Sequence, residues 1–244
     1  MGVKGYFQLF FHILSYIRTF CQMNFIYRVY AVIQKDLLIE SRSRYALNTV
    51  IAFVASASFL TVFSLDAINL TTNIYSGLTW IIILFAAMAS LSRSFVMEAE
   101  LKTYDLLRLN TDGIPVYTGK LLVNFLFTFL VAIFTLFIFT LFSGEFEHNI
   151  PAVVLVLLLG AIGFSGVATL LAALVSKADR KGAIFSVLCL PLMIPLIILL
   201  SDASGDVFTG ASIADITEPI VGLIGFCGVT ITVSVLLFEY IWND

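Results

Sequence analysis

The stretch "LLVNFLFTFLVAIFTLFIFTLF", Leu121 to Phe142, decides the fold. It contains no charged side chain and only three polar ones, Asn124, Thr128 and Thr135, before the closing Thr140. A helix of about 20 apolar residues crosses the hydrocarbon of a bilayer. A strand of an outer-membrane barrel would instead alternate polar and apolar residues over about 10 positions. Nothing here alternates. A helix also satisfies its own backbone groups in lipid, where water cannot.

The rest of the chain repeats the signal. Of 244 residues, 60% are hydrophobic and 12% are charged; a soluble domain carries about 25% charged residues. Six apolar runs are long enough to cross, near Tyr45–Leu65, Ile74–Leu91, Leu121–Phe142, Ala152–Val175, Ala183–Leu200 and Pro219–Trp242. The first is diluted by Asn48, Thr49, Ser56, Ser58 and Thr61.

Charge orients these runs. Lys4, Arg18, Arg28, Lys35, Arg42 and Arg44 precede the first. Arg93, Lys102, Arg108 and Lys120 lie between the second and third, and Lys177, Arg180 and Lys181 between the fourth and fifth. These are all 13 basic residues, and six spans place every one on the same side. The opposite loops carry Asp66, Glu145, Glu147, Asp202, Asp206, Asp215 and Glu218, with no Lys or Arg. Cytoplasmic loops are the ones enriched in Lys and Arg. The expectation is an all-α polytopic membrane protein with six transmembrane helices and both termini in the cytoplasm. Residues 1–44 form an interfacial region, and 45–244 the helical bundle.

Several functions are disfavoured at once. No basic, aromatic-interleaved patch points to nucleic acid. Cys21, Cys189 and Cys227 make no CxxC, haem-attachment or zinc pattern; Cys189 and Cys227 lie inside spans and read as small buried hydrophobes. "GYFQLFFHILSYIRTF", Gly5 to Phe20, is interrupted by His12 and Arg18 and is too short to cross. No small-residue cleavage site follows it, so it reads as an amphipathic helix on the membrane surface rather than a signal peptide. "RVYAVIQKDLLIESRSRY", Arg28 to Tyr45, continues along that surface.

"NTDGIPVYTGKL", Asn110 to Leu121, has two glycines and a lysine, the ingredients of a phosphate loop. That loop needs four residues between its glycines and a Ser or Thr after the Lys. Here five separate Gly113 from Gly119, and Leu121 follows Lys120, so the magnesium-binding hydroxyl is missing. In the fourth span, "GFSG", Gly163 to Gly166, is similar to the nucleophile site of rhomboid proteases. A serine nucleophile needs a His base within reach, and His12 and His148 both lie outside the spans. Gly160, Gly163 and Gly166 read better as a small-residue stripe for close helix packing, and Gly222, Gly225 and Gly228 repeat it in the sixth span. An ion-coupled carrier would place ionisable groups inside the bundle; the middles of these spans have none. Energy for transport must come from another chain.

The loop of residues 92–120 is the patterned one. Val96 to Leu109 reads as a helix with Leu101, Leu106 and Leu107 among Glu98, Glu100, Lys102, Asp105 and Arg108. Asn110 and Gly113 should stop it, and Pro115 forbids its continuation. Gly119 should then let the chain turn, leaving Lys120 at the membrane edge.

An acidic residue, a Thr-x-x-Leu-Leu patch, a Pro and a Gly-Lys at a helix start resemble the first cytoplasmic loop of type-2 ABC transporter permeases. The parts are Glu98 or Glu100, Thr103, Leu106, Leu107, Pro115, Gly119 and Lys120. The resemblance narrows to the haem exporter B family, CcmB. "QKDLLIESRSR", Gln34 to Arg44, is similar to that family's lead-in to the first helix. "LCLPLMIPLIIL", Leu188 to Leu199, is similar to its double-proline fifth helix. In many relatives a Gly stands two residues after the loop acid; here Leu101 and Lys102 follow Glu100.

That resemblance implies a type-2 permease bundle in the inner membrane that works with a separate CcmA-like ABC ATPase and a CcmC-like haem-handling subunit. It implies a role in cytochrome c maturation, coupling the partner's ATP hydrolysis to haem delivery or to release of a haem-loaded periplasmic chaperone. No cofactor is expected on this chain. Haem would be the handled species, ATP would sit on the partner, and His148 is the one externally placed candidate haem contact. Glu98 to Leu109 would be the coupling helix, and Pro191 and Pro195 a hinge in the fifth span, since each removes a backbone hydrogen bond. Six helices are few for a transport pathway, so a homodimer is expected. The other reading is a general type-2 exporter permease for a lipid, glycan or drug.

Overall fold

A computed structural model describes residues 25–41, 45–64, 71–91, 107–109, 111–143, 149–175 and 181–243. The described residues are helical and contain no strand. A first helix, α1, covers residues 25–41. Six long helices follow: α2 Tyr45–Ser64, α3 Thr72–Leu91, α4 Gly113–Ser143, α5 Ile150–Val175, α6 Lys181–Val207 and α7 Thr217–Asn243. Each of the six is long and apolar enough to cross a membrane.

α5 is the hub of the bundle. It packs on α4, α6 and α7, while α3 packs on α6 and α2 closes the far side against α3 and α4. Its sequence allows this. From Gly163 to Ala173 every α5 residue is buried. Gly160 faces the ring of Trp80, where an added Cβ would lie 2.5 Å from the indole. Gly163 faces Leu196 in the same way, at 2.8 Å. Small residues bring helices close where lipid offers no hydrophobic drive for association. The main core joins α3, α5, α6, α7 and the base of α4; a smaller cluster of Val50, Val54, Tyr75 and Phe139 joins α2, α3 and α4.

Polar contacts fix the register between helices. Trp80 Nε1 donates to Ser204 Oγ at 2.8 Å, and Ser76 Oγ donates to the Ser201 carbonyl at 2.8 Å. Asn124 Nδ2 donates to Thr169 Oγ1 at 2.8 Å, and the Thr169 hydroxyl in turn donates to the Ser165 carbonyl. Such bonds between membrane helices contribute about 0.6 kcal/mol each, up to about 1.7.

Two helices are longer than their apolar runs. α4 begins at Gly113, not Leu121. At 1.5 Å per residue its 31 residues span about 46 Å, against about 30 Å of hydrocarbon. Its first two turns therefore project from the end that carries the basic residues. Pro115 does not delay the start, because the first four N–H groups of a helix have no intrahelical acceptor. α6 continues past Leu200 to Val207, since Ser201, Ser204 and Gly205 pack on α3 and keep the helix going. Beyond it, the Ser212 hydroxyl and N–H both donate to the Asp215 carboxylate, which holds that carboxyl below its usual range and pins the exposed turn before α7.

Candidate functional site at the basic end of the bundle

α1 is amphipathic. Val29 and Val32 are buried, while Phe25, Ile26, Tyr27 and Tyr30 are exposed. Its buried stripe lies on the projecting base of α4. Gly119 is the point of closest approach, where an added Cβ would meet Val32 at 2.8 Å. Gly119 is thus inside α4 and makes no turn; it is small because α1 needs the space. This corrects the expectation from the sequence.

The next residue completes the contact. Lys120 is 1% exposed, and its Nζ lies 3.1 Å from Asp36 Oδ2. Lys35 Nζ lies 3.1 Å from the other oxygen of the same carboxylate. Lys120 does stand where the long apolar run begins, yet its ammonium does not reach out to water. It is held inside the protein by α1. Two further ties flank this one. Arg28 pairs with Asp112, just before α4. The Glu40 carboxylate accepts the Leu47 N–H at 3.2 Å, in the first turn of α2, where a negative charge also complements the helix dipole. α1 is therefore clamped to the start of α2 and to the base of α4.

The end of the loop before α4 is also in place. Residues 107–109 are helical, and the Thr111 N–H donates to the Leu107 carbonyl at 3.0 Å. Leu107 is half-buried and packs against the main core. Leu109, the last apolar residue of the expected loop helix, is 81% exposed. Among the described residues of this loop, Leu109 is offered outward, while Leu107 is turned in. Glu98, Glu100, Thr103 and Leu106 lie outside the described residues, and so does His148.

The other sequence candidates divide. Gly160 and Gly163 meet their neighbours closely, and Gly222 approaches Leu199 at 3.1 Å. Gly166 has only ordinary contacts, the nearest being Thr230 at 3.5 Å. Gly225 and Gly228 have nothing within 4 Å and are exposed, because α7 turns Leu223 and Cys227 inward instead. Their expected role in packing within the chain is not met. Pro191 and Pro195 lie inside a continuous α6 with both rings exposed. Four residues apart, they remove successive hydrogen bonds on the outward side. Ser165 is 1% exposed and donates to the Ile162 carbonyl at 3.0 Å, so its hydroxyl serves its own helix. Between α3, α5 and α6, beside Trp80 and Ser204, only about 10 Å³ is left open, the volume of about one water molecule.

No curated protein matches the chain at a significant level. The CcmB protein family matches residues 27–239, from the third residue described in α1 to the last turns of α7. The chain therefore belongs to the CcmB family and is a membrane component of a haem exporter ABC system.

Proposed function

We propose that this chain is the permease subunit through which a CcmA-like ATPase drives a step of cytochrome c maturation at the inner membrane. The basic end, with both termini, faces the cytoplasm. ATP is bound and hydrolysed on the partner, and no reaction is catalysed on this chain. The observation that carries the reading is the clamp at the base of α4. A push on the loop around Leu109 reaches α4 directly, and α1 follows it through Asp36–Lys120 and Arg28–Asp112. α4 in turn packs along α5, the hub. The driven step is release of a haem-loaded chaperone from a CcmC-like neighbour. The filled space around Trp80 and Gly160 supports this over passage of haem through one bundle. A second copy of the permease completes the assembly.

Leu109→Asp tests the docking. The substitution is exposed and should leave folding intact, while co-purification of the ATPase falls to background. Leu106→Asp with Leu107→Asp should abolish it as well, with an added loss of stability because Leu107 packs on the core. Undiminished co-purification with Leu109→Asp would remove the loop from the interface.

A further inference from the structure

A cleft of about 710 Å³ opens at the basic end, between the start of α1, the loop end before α4 and the last turns of α7. Phe25, Arg28, Arg108, Asp112, Glu239 and Trp242 line it, and Ile114 forms its edge. The clamp described above uses Arg28 and Asp112 on one wall. Arg108 and Glu239 remain, and among the described residues neither forms an ion pair. A cleft that holds one cation and one anion without mutual pairing is suited to a ligand with both charges.

Its depth narrows the choice. The cleft lies against the first turn of α4 and the last turns of α7, where two membrane-crossing helices end. Here the first two turns of α4 project past the hydrocarbon toward the lipid headgroups, and Trp242 is an aromatic side chain of the kind enriched at that interface. Above the cleft, α4 exposes Leu122, Leu126 and Leu130 on successive turns, an apolar surface for acyl chains.

We infer that this cleft binds a zwitterionic phospholipid headgroup carrying a primary ammonium. Arg108 receives the phosphate, with the free donors of Arg28 beside it. Glu239 receives the ammonium. Phe25 and Trp242 cover the glycerol region. A phosphocholine headgroup fits less well, because its quaternary nitrogen has no N–H for Glu239. An anionic phosphoglycerol headgroup leaves Glu239 unpaired. The inference depends on this end lying at headgroup level, and not on how the ATPase is coupled.

Native mass spectrometry of the full chain in detergent tests it, with phosphatidylethanolamine, phosphatidylcholine and phosphatidylglycerol titrated separately. The expected result is a one-lipid adduct, preferred at least about tenfold for phosphatidylethanolamine, as one charged hydrogen bond would give. Glu239→Gln should erase the preference over phosphatidylglycerol. Arg108→Gln should weaken all three adducts. Both positions lie at the cleft wall outside the core, and an unchanged melting temperature confirms that the variants fold. Equal adducts for the three lipids, or adducts insensitive to both substitutions, would overturn the site. So would loss of ATPase co-purification in Arg108→Gln with lipid adducts unchanged, which would assign the cleft to the protein partner.

Discussion

Asp36→Leu should destabilise the protein by roughly 3–5 kcal/mol, the cost of removing one partner from a buried ion pair. Lys120 is almost fully buried, and Asp36 is the carboxylate that faces it. Without Asp36 the buried ammonium loses the carboxylate that ties it to α1. The side chain cannot simply swing outward, because Gly119 holds Val32 and the α1 backbone tight against the same turn. Lys120→Met alone should cost less, since the partly exposed Asp36 keeps Lys35 and some water. The double variant Asp36→Leu with Lys120→Met should return to near the original stability or exceed it, because apolar replacements for a buried pair are often neutral or stabilising. Reversible unfolding in mixed micelles measures all three. If Asp36→Leu were as stable as the parent, the clamp would be no more than a surface contact. The double variant has a second use. If it is stable but cytochrome c maturation falls, the ion pair transmits motion in addition to holding the fold.

Gly160→Leu should be the most damaging substitution within the membrane. A Cβ at this position already lies 2.5 Å from Trp80 Cη2 and 2.8 Å from Cζ3. The ring has nowhere to go. It is 1% exposed, lies near-parallel to Phe164 with centroids 6.0 Å apart, and its Nε1 is bonded to Ser204. Overpacking costs about 1–3 kcal/mol, and a buried N–H pulled from its acceptor costs about 1–3 kcal/mol more. Thermal unfolding should show the loss. Gly160→Ala should already show a fraction of it, and Trp80→Val should partly rescue Gly160→Leu by vacating the space. Gly163→Ala is the control. Its neighbour is the branched end of Leu196, which can rotate, so its cost should stay below that of Gly160→Ala. If the two alanine variants are equally mild, Trp80 is not the fixed wedge between α3 and α5 described above.

The helix count was legible because it depends on local composition. Runs such as Leu121–Phe142 are apolar whatever they touch, and the placement of 13 basic residues on one side checks the number of crossings. The helix ends were less legible. Gly113 and Pro115 look like breakers, yet in the first turn of α4 a missing N–H costs nothing and the helix starts there. The contacts at the basic end were the hardest to read. Asp36 and Lys120 are 84 positions apart. One signal was present: Asp36 follows Val32 by four residues, on the stripe that α1 buries. A carboxylate on an apolar stripe asks for a cation, and Lys120 at the end of an apolar run is its counterpart. Leu107 and Leu109 are both leucines two apart, so composition alone could not say which faces out. Gly160 and Gly225 look alike in sequence as well. Trp80 and Leu200 make the first one a contact, while the second faces away from the bundle.

Coupling of a partner's ATP hydrolysis to this bundle through its basic face is open to measurement. It is tested most directly by the ATPase rate of the complex reconstituted in lipid nanodiscs, against the rate of the isolated ATPase subunit. The permease should change this rate, and Leu109→Asp should return it to that of the isolated subunit without altering the fold. A rate indifferent both to the permease and to Leu109→Asp would contradict it.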